Sequence, residues 1–221
     1  MVVEHSRNAR QNEVEKKISF QLMTSEVQNS FTNPNRTNTV RKKKTLTTVE
    51  EFENWQKKTR SQYNYEFYYG QISKKQSMKQ NEFFIVKFLS RLFIKTQAFT
   101  DGGELLAESD TYVDLFRKRV PDMAYFTLNQ IYEAAKGTKV VPAFTIELLS
   151  DSESFADVAN KIQDYFDAGV ALVWYISPKN KTIYAYTSTK DIKVYTGTDK
   201  CTANPVLSDF SFVTEDLFKI G

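Results

Sequence analysis

The chain has 221 residues, 41% of them hydrophobic, with seven glycines, one cysteine and one histidine. That is enough apolar material for one sizeable core, and too little sulfur and imidazole for a disulfide framework, a zinc site or a Ser-His-Asp triad. The formal charge of +3 is unevenly spread: residues 1–45 hold nine Lys or Arg against four acids, which leaves a net −2 on residues 46–221 and so no cationic balance suited to coating nucleic acid.

Two expectations of organisation follow, a flexible basic N-terminal tail over 1–45 and one domain over 46–221. The tail closes on Arg41-Lys42-Lys43-Lys44, which reads as a solvated linker or, more sharply, as a phosphate-binding arm. A lone Cys201 fits a reducing, cytoplasmic setting. No membrane span is expected, because the most apolar run, 83–94, is interrupted by Lys87 and Arg91.

Within the domain, Thr47 or Thr48 is placed to cap a short helix through Val49, Phe52 and Trp55, since Thr47 followed by Glu50 has capping-box spacing. Residues 63–69 alternate, with Tyr63, Tyr65, Phe67 and Tyr69 on one face and Asn64, Glu66 and Tyr68 on the other, as a strand requires. Gly70 turns the chain and 71–77 pairs back. The aromatic face reads as core or dimer interface, with a base-stacking platform as the alternative.

Apolar positions 83, 84, 85, 88, 89, 92 and 93 predict a largely buried helix over 80–96. A turn at Asp101-Gly102-Gly103 leads into a strand pair over 105–116, broken near Ser109-Asp110. Arg117-Lys118-Arg119 reads as a solvated strand end or as a contact for a phosphate backbone.

Pro121-Asp122 opens an apolar run, a small helix is expected over Leu128–Ala135, and 141–149 reads as a strand covered on both faces. Glu147 inside that strand is costly and needs a metal, a cation or hydrogen bonds; a plain pair with a Lys or Arg of the neighbouring strand is the alternative. Ser154 and Asp157 have capping-box spacing ahead of a helix with apolar face Phe155, Val158, Ala159, Ile162 and Phe166. Lys161 lies at its edge, placed either to reach over the strand ends or to pair with Asp157 four residues earlier, worth ~0.3 kcal/mol.

Gly169 caps that helix, and a buried strand over 170–176 implies a right-handed crossover and a parallel pair. Further strands are expected over 182–187 and 193–196, with a closing segment over 210–218. Two carboxylates, Asp122 and Glu147, and one amine, Lys161, thus have the means to converge. Such a trio suits a divalent metal and a phosphodiester.

Several short pieces then point one way: Thr48-Val49-Glu50-Glu51-Phe52, Tyr65-Glu66-Phe67 with Gly70-Gln71-Ile72, Arg119-Val120-Pro121-Asp122, Ile146-Glu147-Leu148-Leu149-Ser150, Asn160-Lys161 with Tyr165, and Ala168-Gly169-Val170 running to Val173-Trp174-Tyr175. In this order the chain from about Leu46 onward resembles the Uma family of restriction-endonuclease-like proteins, of the PD-(D/E)xK nuclease superfamily. The resemblance implies an α/β fold with a restriction-endonuclease-like mixed sheet flanked by helices, an added N-terminal hairpin and a C-terminal strand extension.

It further implies that Asp122 and Glu147 are the motif's two acids and hold Mg²⁺ or Mn²⁺, with the Leu148 carbonyl as a further ligand. Leu149 stands where the superfamily places lysine, so Lys161 on the following helix takes that role. Glu66 matches a recurring acid, and Gln80-Asn81 lies where relatives often carry histidine. The implied partner is nucleic acid, DNA in the first instance, and the implied assembly a homodimer. The rival expectation is a non-cleaving, DNA-associated or scaffolding protein on the same fold, favoured by the shifted lysine and the non-basic domain.

Overall fold

The computed structural model describes residues 45–60, 62–76, 78–150 and 153–219; apart from Thr45, the expected basic tail lies outside them. Five helices, α1 (Val49–Thr59), α2 (Phe83–Phe93), α3 (Gln97–Thr100), α4 (Leu128–Ala135) and α5 (Phe155–Ala168), alternate with twelve strands among the described residues. Six of these form a central mixed sheet, β3 (Glu104–Ala107), β6 (Met123–Phe126), β7 (Phe144–Leu148), β8 (Leu172–Ser177), β9 (Thr182–Tyr186) and β10 (Ile192–Thr196), in the order β10-β9-β8-β7-β6-β3. Only β7 and β8 run parallel, joined by α5 as a crossover.

A second sheet, in the order β2-β1-β5-β4, holds the hairpin β1 (Tyr65–Tyr68) and β2 (Gln71–Lys74) with β4 (Thr111–Tyr112) and β5 (Arg117–Arg119). The hairpin β11 (Lys200–Ala203) and β12 (Leu207–Val213) stands apart as a two-stranded unit.

Strand parity decides what each face of the central sheet meets. Phe144, Ile146, Trp174 and Ile176 share a core with Ile85, Leu89 and Phe93 of α2 and with Phe210 and Phe212 of β12. Trp174 stacks on Phe210 at 5.9 Å and meets Phe144 edge-on at 4.9 Å. The opposite parity, Val173 and Tyr175, packs under Ile162 and Tyr165 of α5. Glu147 follows Ile146 and therefore turns toward α5.

Several details differ from the sequence expectations. Of the two threonines expected to cap α1 it is Thr48 that does so, its hydroxyl accepting from the Glu51 N–H at 3.2 Å, and the Thr47–Glu50 box is not the one used. The 80–96 segment begins as a 3₁₀ turn, is α-helical only over α2, and stops before Thr96, whose side chain caps α3. The strand pair expected over 105–116 does not form: β3 joins β6 in the central sheet and β4 joins β5 in the other, because the chain crosses between sheets at 108–110. The inward aromatics of β1 are core. Phe67 stacks on Phe52 at 5.1 Å and Tyr65 meets Trp55 edge-on at 5.5 Å, so they form no base-stacking platform.

Candidate active site

Five segments deliver charged side chains to one hollow. β1 brings Glu66 on the face opposite Phe67, the chain just past β2 brings Lys75, the residue entering β6 is Asp122, and β7 brings Glu147 beneath Lys161 of α5. The antiparallel pairing of β6 and β7, Met123 opposite Ile146, places the two acids on neighbouring strands. Glu147 is only 1% exposed and Asp122 5%, so neither carboxylate can rely on water to carry its charge.

Each acid is held by one oxygen and presents the other. The Leu148 N–H donates to Asp122 Oδ2 at 2.6 Å, and the Tyr165 hydroxyl donates to Glu147 Oε1 at 2.5 Å. The remaining oxygens, Asp122 Oδ1 and Glu147 Oε2, converge on a single cation, the Nζ of Lys75, at 3.2 and 3.0 Å. Lys161 Nζ approaches from the other side, 3.7 Å from Glu147 Oε1, 3.9 Å from Glu66 and 3.0 Å from Glu153.

The two acids respond differently to this setting. Burial and the charge of Glu147 push the Asp122 carboxyl up to about 7, against the pull of Lys75 and the Leu148 N–H. Burial also opposes charge on Glu147, but the ammoniums of Lys75 and Lys161 and the Tyr165 hydroxyl outweigh it and hold that carboxyl down to about 2. Lys161 is held above its ordinary range, since Glu147 and Glu66 overcome the cost of its burial. It is an ammonium at neutral pH.

The sequence-predicted residues are therefore gathered, while three expectations about their neighbours are corrected. Lys161 does not take Asp157 as its partner; the Ser154 hydroxyl and N–H bind the Asp157 carboxylate to complete the cap of α5, leaving Glu153 to pair with the amine. Glu147 is matched by no cation of an adjacent strand of its own sheet. Arg117, Lys118 and Arg119 are not a solvated strand end, because β5 is an interior strand lying under α5. Arg117 and Arg119 both bind Asp164 of α5, at 2.5 and 2.6 Å, and Arg119 also binds Glu66 at 3.1 Å. Lys118, on the other face, pairs with Asp110 at 2.7 Å over the ring of Phe52.

Lys75 is the residue that sequence reasoning missed. Its signal was the hairpin register: Glu66 opposes Ser73 and the Lys75 N–H donates to the Asn64 carbonyl, so Lys75 shares the face of Glu66. Nothing in its immediate neighbours distinguishes it from Lys74.

The acids open onto a cavity of about 480 Å³ whose walls include Lys74, Lys79, Glu153, Asn160 and Lys161. Among the described residues, no cluster of three or more His, Cys, Asp or Glu side chains is gathered to hold a metal. Two carboxylates nevertheless fit Mg²⁺ or Mn²⁺, hard ions that complete their shells with water and substrate phosphate. Lys75 Nζ occupies the point on which Asp122 Oδ1 and Glu147 Oε2 converge. No helix among the described residues is long and apolar enough to cross a membrane.

Comparison with known proteins agrees with the architecture. The family model Uma2, described as "Putative restriction endonuclease", matches residues 49–215. The fold is similar to that of a crystal structure from Anabaena variabilis ATCC 29413, titled a "putative nuclease belonging to DUF820", with a TM-score of 0.63 and 20% identity over 77% of this chain and 97% of that one. No curated protein matches the chain.

Proposed function

The chain belongs to the Uma2 family, and from that premise we propose that it is a metal-dependent endonuclease that hydrolyses phosphodiester bonds in nucleic acid, DNA in the first instance. The observation that carries the reading is the convergence of Asp122 Oδ1 and Glu147 Oε2 on one cation position at the wall of an open cavity. Those two oxygens are the proposed metal ligands. Leu148 and Tyr165 fix the rotation of each carboxylate, so the pair is oriented before an ion arrives. A bound Mg²⁺ or Mn²⁺ supplies a water of lowered pKa and neutralises charge that builds on the phosphate.

Lys161 acts as a donor. Its amine is kept protonated by Glu147 and Glu66, so it cannot serve as general base; it orients the attacking water or meets negative charge on the phosphate as the bond breaks. Glu153 and Glu66 hold it at the edge of the hollow, within 4 Å of Glu147.

The decisive variant is Lys161→Met. Cleavage of DNA with Mg²⁺ or Mn²⁺ is expected to fall by roughly 10²-fold or more, the range for losing one preorganised donor, with the fold retained by circular dichroism. Unchanged cleavage removes Lys161 from the mechanism.

One observation favours the non-cleaving alternative: Lys75 forms ion pairs with both acids at the position a metal would take. A protein that binds DNA and cleaves neither DNA nor RNA with any divalent ion is that scaffold. A homodimer in a cytoplasmic setting completes the nuclease reading, because one centre cuts one strand and a duplex break takes two; sedimentation of the purified chain tests the assembly.

A further inference from the structure

We propose that Lys75 is a tethered counter-ion that fills the divalent-metal position and is exchanged for the metal, swinging into the adjoining cavity when the ion enters. The proposal rests on the metal-site reading above and adds to it a competitor built into the chain.

Four observations carry it. The Lys75 ammonium contacts the two oxygens that no other described group anchors, Asp122 Oδ1 and Glu147 Oε2, and both of its partners are almost fully buried. An ammonium and a divalent ion cannot share that point, since like charges at contact distance repel strongly in a buried setting. The Lys75 backbone is pinned by its N–H donating to the Asn64 carbonyl at 2.8 Å, so the exchange is a side-chain movement on a four-carbon stem. The cavity that Lys75 itself lines, beside Gln76 and Lys79, gives the displaced amine a place to go.

Lys161 cannot take this part. It reaches Glu147 only through Oε1, the oxygen already bound by Tyr165, and no contact joins it to Asp122. The two lysines thus divide the work, one beside the metal position and one within it.

An exchange of this kind lowers apparent metal affinity by the fraction of protein whose site is open. Calorimetric titration of the full chain with Mn²⁺ is expected to show binding about tenfold tighter in Lys75→Met than in the parent. Asp122→Asn serves as the non-binding control. Equal affinity in Lys75→Met and the parent, with Asp122→Asn silent, overturns the exchange and leaves the metal site standing. Absence of Mn²⁺ binding in both overturns the metal site and the exchange with it.

Because removal of a buried cation can compromise folding, the parent protein supplies a second readout. Acylation of lysines followed by mass spectrometry is expected to find Lys75 protected without metal and modified at least severalfold faster with saturating Mg²⁺, while Lys118 stays protected throughout. Protection of Lys75 unchanged by a Mg²⁺ concentration that calorimetry shows to be saturating overturns the proposal.

Discussion

Two buried charge clusters meet at Glu66 and are built from different cations. On one side Arg117 and Arg119 bind Asp114, Asp164, Asp167 and Glu66, clamping β5 to α5. On the other, Lys75 and Lys161 face Asp122, Glu147 and Glu153 beside a cavity. A guanidinium is a planar fork that binds carboxylates in fixed geometry, whereas an ammonium is a point charge on a flexible stem. The arginine cluster locks strand to helix; the lysine cluster neutralises acids in a form that another cation can replace.

The sharpest way to break this contrast is to remove an arginine. Arg119→Met leaves Asp164 short of a partner and Glu66 without its guanidinium, and breaking a buried pair from one side costs about 3–5 kcal/mol. Urea denaturation of the metal-free protein is the measurement. Adding Asp164→Leu to Arg119→Met removes the stranded acid but takes a partner from Arg117 and leaves Glu66 without its guanidinium, so only part of the loss is expected to return. A loss under about 1 kcal/mol in the single variant means the arginine cluster does not hold β5 to α5.

The same contrast explains what was legible in the sequence. Glu147 announces itself, because a carboxylate inside an apolar strand contradicts its surroundings, and the spacing back to Asp122 leaves room for β6, α4 and β7 in that order. Lys161 is legible on the edge of a helix with a clear apolar face and a capped start. Arg117-Lys118-Arg119 misleads because three adjacent cations look solvated. Their acids, Asp164 and Asp110, become neighbours only after α5 crosses over and β4 pairs with β5. Lys75 is invisible for a related reason: its face depends on hairpin register, and its partners are 47 and 72 positions away. The β11–β12 hairpin is also unread, since the sequence expectation reached only its second strand.

A smaller effect sharpens the comparison from the lysine side. Tyr165 is fully buried, and its hydroxyl, kept protonated by burial and by the charge of Glu147, donates to that acid. Tyr165→Phe is expected to cost about 1.5–3 kcal/mol, the range for a hydrogen bond to a charged group, read again by urea denaturation. It should also loosen the orientation of Glu147 and weaken Mn²⁺ binding. A cost below about 0.5 kcal/mol would mean that the two ammoniums alone hold Glu147, as the arginines hold Asp164.

The effect that is smallest per step, about 1.4 kcal/mol for each pH unit, is the most diagnostic, because it asks whether the lysine cluster rests fully ionised. The Asp122 carboxyl is raised from 3.8 to about 7, so the folded protein keeps a proton that the unfolded chain releases. Its contribution therefore makes the metal-free protein less stable as pH rises from 3.8 to about 7, and adds no further change above that. Glu147 has the opposite sign: lowered from 4.5 to about 2, it contributes stability that is present above 4.5 and lost as pH falls through about 2. A divalent ion entering the pair must displace the Asp122 proton, so Mn²⁺ affinity is expected to rise about tenfold per pH unit below 7 and to level off above it. Melting temperatures with and without Mn²⁺ at successive pH values across that window measure the rise, and Asp122→Asn should abolish it. A metal-induced shift independent of pH would mean that Lys75 keeps both acids ionised at rest, and the lysine cluster would then be as fully compensated as the arginine cluster beside it.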